Sequence, residues 1–104
     1  MLLIYVNENS LGIAGAHWLD GGGRGYSFDD PIEERLGRKL DQLTSGNKDA
    51  PVVVFCLDAH CWLSYNATLR IVRLGYRNVL WYRGGREAWK AAGLPLGNLA
   101  REPW

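Results

Sequence analysis

Both cysteines of the chain, Cys56 and Cys61, lie in the stretch FCLDAHCWLSYNA (residues 55–67), alongside Asp58, His60 and Trp62. Residues of these types can bind a metal, close a disulfide, cycle between dithiol and disulfide, or present one thiolate as a nucleophile. Zinc needs four ligands, or three and a water. The local supply is Cys56, Asp58, His60 and Cys61, within six residues, and the only other histidine is His17. That set is crowded and incomplete, so no metal is expected. Both cysteines can instead be small core hydrophobes, as buried free cysteines often are. This suits Cys61, at the start of a helix. It suits Cys56 less well, because a residue just past a central strand is expected to face a cleft rather than the core.

The elements on either side decide what the stretch can do. Val52-Val53-Val54-Phe55 is an uninterrupted apolar run, the pattern of a parallel strand covered on both faces. After the cysteines, a helix is predicted from Leu63 to Leu74, closed by Gly75 at C′. A loop between such a strand and helix turns backbone N–H groups inward, and the helix start adds a partial positive charge. A thiolate there is stabilised and nucleophilic. The same cradle accepts an anionic group of a substrate. Cys56 is therefore the favoured nucleophile.

The rest of the chain supplies a sheet to carry this loop. Leu2 to Val6 reads as a buried strand ending at the turn-forming NENS, and Ala16 to Leu19 as a short strand. Asp30-Pro31-Ile32-Glu33 is a helix start: Asp30 caps, Pro31 suits the first turn, and Glu33 has capping-box spacing. Ile32, Leu36, Leu40 and Leu43 then share one face, and SGNKDAP ends the helix. Val79 to Tyr82 reads as a further strand, and GGREAWKAAG as a turn into a last short helix ending at Gly93. Strands alternating with helices predict one α/β domain over residues 1–104 with a mostly parallel sheet. In such sheets ligands bind at the carboxyl ends of the strands, where Cys56 stands.

Composition narrows the partners. The 104 residues are 47% apolar with a formal charge of +1, and the basic residues are dispersed between Arg24 and Arg101. No basic stripe favours nucleic acid or an anionic membrane, and no apolar run reaches the roughly 18 residues of a membrane span. The first residues lack a basic region before their apolar run, so no signal peptide is predicted. The cytoplasm is the expected compartment, or the periplasm if an N-terminal segment has been removed. GGGRG at 21–25 lacks the Lys-Ser/Thr ending of a phosphate loop and is read as a mobile surface loop, from which Arg24 could reach the cleft. Ser64 and Asn66, in the first helical turn, could donate to a bound group, and Ser64 could equally cap its helix. Gly84 and Gly85 fit a tight strand-to-helix turn, and Trp89 fits packing of the last helix.

From Pro51 to Pro95 the chain resembles the rhodanese-like domains of the sulfurtransferase superfamily. The matching pieces are VVVFC, LGYRNVLWYRGG and GGREAWKAAGLP. Upstream, LLIYVNENSLGIAGAHWL is similar to the family's Asp-Val-Arg strand and Ile-Pro-Gly-Ala turn, with Ile13 to Ala16 at the turn. The resemblance implies a three-layer α/β/α fold and an active-site loop from Cys56 to Trp62, so that Leu57, Asp58, Ala59, His60 and Trp62 would line the substrate. It also implies that Cys56 takes sulfane sulfur as a persulfide and passes it to a thiol or cyanide, the loop amides holding the donor, without metal or organic cofactor.

The chain departs from the family pattern in several places. Tyr5-Val6-Asn7 replaces Asp-Val-Arg, and Leu57 to Cys61 contains no lysine or arginine, which argues against thiosulfate as the physiological donor. Asp58 near the sulfur would oppose thiolate formation, whereas a protonated His60 would favour it. The loop is longer by about two residues than the usual sulfurtransferase loop. Related cell-cycle phosphatases have longer loops but require arginine six positions after the cysteine, where this chain has Trp62, so phosphoryl transfer is not expected. Cys61 is an addition: it could resolve a persulfide on Cys56, form a dithiol–disulfide pair with it, or pack at the loop base. A redox or sulfur-carrier protein and a catalytically silent binding module are thus the alternatives to the enzyme. Family members generally have a strand and helix before the segment that begins at Leu2 here. The expectation is either that an N-terminal segment is lacking or that the exposed sheet edge is covered by a second copy, giving a homodimer.

Overall fold

The helix start at Asp30 forms as its residue types dictate. In a computed structural model describing residues 1–25 and 30–104, Asp30 Oδ1 accepts from Glu33 N at 3.0 Å and Pro31 opens the helix. The elements in chain order are β1 (Leu2–Tyr5), β2 (Leu11–Ile13), β3 (His17–Trp18), α1 (Pro31–Thr44), β4 (Val52–Phe55), α2 (Leu63–Arg73), β5 (Val79–Tyr82), α3 (Gly85–Ala91) and β6 (Leu96–Asn98). Ser45 and Gly46, both at positive φ, end α1, and Gly75 at φ 97° ends the turn after α2.

β3, β1, β4 and β5 form, in that order, a parallel sheet. Its pleat sorts the side chains into two cores. Ile4, Val6, Val52, Val54 and Cys56 face Leu36 and Leu40 of α1 and Ala67 and Ile71 of α2. Tyr5 and Phe55 face the other way and pack with Ile13, Trp18, Tyr82, Trp89 and Leu99. That second face is covered by α3 together with a β2–β6 ribbon, antiparallel from Leu11↔Asn98 to Ile13↔Leu96. The fold is thus α/β with a mostly parallel central sheet between two layers, as expected. The ribbon was not foreseen: each of its strands has three residues, one of them glycine.

α1 and α2 are joined by ion pairs. Arg70, 2% exposed, reaches Asp30 through Nη1–Oδ1 at 2.6 Å and Nη2–Oδ2 at 2.9 Å. Arg73 Nε bonds Glu33 Oε1 at 3.1 Å.

The two sheet edges differ. At β3, Arg101 bridges to Trp18 and Glu102 N bonds the Trp18 carbonyl at 3.0 Å. Trp104 fastens this segment by donating to Asp20 O at 3.1 Å, and Lys39 reaches Glu102 at 3.2 Å. β1 is interior, between β3 and β4, and at the opposite edge of the sheet, on β5, Leu80 is 61% exposed.

Candidate active site

Cys56 follows β4 directly, and the pleat places it beside Val52 and Val54 on the helix-covered face. It is 1% exposed, so the expectation that it faces an open cleft is corrected. Strand alternation continues one residue past the ladder, and Cys61 covers what remains. The two sulfurs are joined in a disulfide with Cα atoms 6.0 Å apart, within the ordinary range. In this state neither thiol is free. Reduction by an external dithiol or two thiols is needed before Cys56 can act as a nucleophile.

The loop between them is held from two sides. Arg86 N donates to Cys56 O at 3.0 Å and Glu87 N to Leu57 O at 2.9 Å, so the first amides of α3 grip the loop's carbonyls. Gly85 at φ 61° makes this approach possible: a Cβ there would lie 2.5 Å from the Cys56 carbonyl oxygen. Within the loop, Asp58 Oδ1 accepts from His60 N at 2.9 Å and Asp58 O from Cys61 N at 3.2 Å. Asp58 thus folds the loop. Among the described residues, the N–H groups of Leu57, Asp58 and Ala59 have no protein acceptor.

The remaining sequence candidates divide. Trp62 is exposed and packs with Tyr65 and Trp81, its ring centroid 5.4 Å from Tyr65 and 6.1 Å from Trp81. His60 is exposed. Ser64 does not cap α2; its hydroxyl donates to Cys61 O at 3.3 Å and accepts from Trp81 Nε1 at 2.9 Å, tying the helix start to the loop and to β5. Arg24 is exposed and paired with Glu8. GGGRG is not a free surface loop: Gly22 and Gly23 are buried, and a Cβ on Gly23 would collide with the Leu63 backbone. Asn66 Nδ2 closes this contact on Gly23 O at 3.3 Å. His17 lies on β3, two strands from Cys56, bound to Glu102 at 2.5 Å.

One residue of the site escaped sequence reasoning. Asn7, just past β1, directs Nδ2 at Cys56 Sγ at 3.3 Å and at Cys61 Sγ at 4.0 Å. Its signal in the sequence is the position itself, third in Tyr5-Val6-Asn7, where the family pattern has arginine. Tyr5, beneath it, donates to Leu11 O at 3.1 Å. Burial pushes the Tyr5 phenol above its ordinary range, while the nearby Arg86 cation pulls it down. At neutral pH it is therefore a neutral donor.

The chain is similar to known proteins in sequence and in fold. A family model described as rhodanese-like domain fits residues 7–92. A thiosulfate sulfurtransferase, GlpE, of Actinobacillus pleuropneumoniae serotype 5b is 31% identical over 80 residues, covering 71% of this chain and 69% of the relative. Among solved structures, a rhodanese-3-like domain from Anabaena sp superposes with a TM-score of 0.67 at 21% identity, covering 93% of this chain and 98% of that one. A thiosulfate sulfurtransferase from Pseudomonas aeruginosa superposes at 0.66 and 22% identity, over 94% of this chain but 16% of that one. These two likenesses establish the fold. On the family model and the sequence relative, the chain belongs to the rhodanese-like domains, a family with thiosulfate sulfurtransferases among its members.

Proposed function

We propose that this domain transfers sulfane sulfur, carried as a persulfide on Cys56 and passed to a thiol or cyanide-type acceptor. The observation that carries this reading is the placement of Cys56 at the carboxyl end of β4, in a loop whose Leu57, Asp58 and Ala59 amides have no acceptor among the described residues. In the reduced protein the Cys56 thiolate attacks the outer sulfur of the donor. The donor's S–S bond breaks, its electron pair leaves with the remaining thiolate or sulfite, and the free amides hold that anion. The acceptor then attacks the same sulfur and regenerates the Cys56 thiolate. Without a loop cation, persulfides or polysulfides fit the site better than thiosulfate.

The disulfide favours a second reading of the same chemistry. Cys61 thiolate attacks Cys56 of the persulfide and expels hydrosulfide. This leaves the Cys56–Cys61 disulfide, which an external thiol pair reduces while becoming a disulfide itself. The two readings separate in turnover with polysulfide and a monothiol acceptor. If Cys56 carries the sulfur, Cys56→Ser abolishes transfer. If Cys61 is only packing, Cys61→Ser retains it; if Cys61 resolves the persulfide, Cys61→Ser loses reductant-dependent hydrosulfide release yet still loads. Full transfer by Cys56→Ser would overturn both.

A further inference from the structure

We propose that Asn7 is a catalytic residue whose carboxamide stabilises the Cys56 sulfur in its anionic forms and makes Cys56, rather than Cys61, the attacking thiol. The inference rests on Cys56 as nucleophile and adds the group that supports it.

The register brings the two residues together. β1 and β4 run parallel with Tyr5 opposite Phe55, so their carboxyl ends lie side by side and Asn7 reaches across to the residue after Phe55. The amide's orientation follows from its other contacts. Asn7 Oδ1 accepts from Asn9 N at 3.0 Å and lies 3.4 Å from the Tyr5 hydroxyl, so the NH2 end must face the sulfurs. Reversing the amide would set its NH2 against the Asn9 N–H and its oxygen against a thiolate, both repulsive.

No cation does this work. Among the described residues, Asn7 is the one side-chain donor to either sulfur. Several charged or titratable groups surround the loop. The Asp58 carboxylate accepts from His60 N, and the His60 side chain is exposed. Arg86 is bound to Glu87 and to Leu11 O, both at 3.0 Å, and Tyr5 donates to that same carbonyl. A hydrogen bond to a charged acceptor is about twice as strong as a neutral one. The bond therefore favours thiolate over thiol, and the shorter approach to Cys56, 3.3 Å against 4.0 Å, favours charge on that sulfur. The same N–H can follow the charge to the terminal sulfur once a persulfide forms.

The test is the pH profile of iodoacetamide alkylation in the reduced Cys61→Ser protein, which leaves Cys56 as its one thiol. Asn7→Ala removes the donor, and Asn7→Asp keeps an acceptor for Asn9 N but turns an anion toward the sulfur. The profile midpoint should rise by about one pH unit in Asn7→Ala and further in Asn7→Asp, with alkylation at neutral pH slowed about tenfold. Thermal unfolding of each variant shows which is folded, and either one alone decides. A midpoint unchanged in a folded variant overturns the role of Asn7. Because no sulfur donor is involved, a shifted profile in a protein that never takes up sulfur would retain Asn7 and discard the transfer reading.

Discussion

Between α1 and α2, the nearly inaccessible Arg70 grips both oxygens of Asp30, and Arg73 holds Glu33. At the other end of α2, the sulfurs of Cys56 and Cys61 meet the neutral carboxamide of Asn7. One helix thus has guanidinium groups committed to structure at its far end and, among the described residues, none bonded to the sulfurs at its start. A buried cation needs a fixed anionic partner, because leaving either one alone in the interior is costly. A site that must bind and release an anion gains from donors without net charge, which need no such partner when the anion departs. Under the proposed function, uncharged donors would let a loop lacking lysine and arginine bind and release a sulfur anion.

Breaking the seam should have the largest effect on folding. Arg70→Ala removes the partner of Asp30 together with a buried side chain, and should lower stability by about 3–5 kcal/mol. Urea unfolding measures this. The folded fraction should still load sulfur, since the seam does not touch Cys56; loss of loading in folded molecules would show that the two regions are not separable. Acid probes the same seam. The Arg70 hydrogen bond, and then that from Glu33 N, hold the Asp30 carboxyl below its ordinary range. A carboxyl depressed in the fold stabilises above its unfolded pKa, and that stability is lost as pH falls through the folded value. The thermal midpoint should therefore drop below about pH 4, and Asp30→Asn should flatten that limb. An unchanged limb would assign acid sensitivity elsewhere.

A smaller change would sharpen the contrast by giving the loop the cation it lacks. Ala59→Arg places a guanidinium among the free amides, and should lower the KM for thiosulfate about fivefold, with a weaker effect on a persulfide of lower charge. Equal effects on both donors would mean that loop charge does not set donor preference.

The parts of the fold legible in the sequence were those with local causes. Asp30-Pro31 announces α1, the valine run announces β4, and Gly75 marks the end of α2. The parts that escaped depend on partners far along the chain. Gly12 in β2 pairs with Gly97 in β6, and neither segment is long enough to show a period. The strap of Arg101, Glu102 and Trp104 over β3 likewise has no local signature. The site divides the same way. Cys56 was found from its position after a strand, but its burial needed the pleat and the disulfide. Asn7 needed the β1–β4 register, which places it 49 residues away in sequence and one hydrogen bond away in space.

The central claim is that Cys56 carries the transferred sulfur, and intact mass tests it most directly. Reduced Cys61→Ser protein, incubated with polysulfide and desalted, should gain one sulfur atom that cyanide or a thiol removes, while Cys56→Ser should gain none. Equal uptake by Cys56→Ser, or no uptake by the reduced wild type with polysulfide, thiosulfate or mercaptopyruvate, would contradict it.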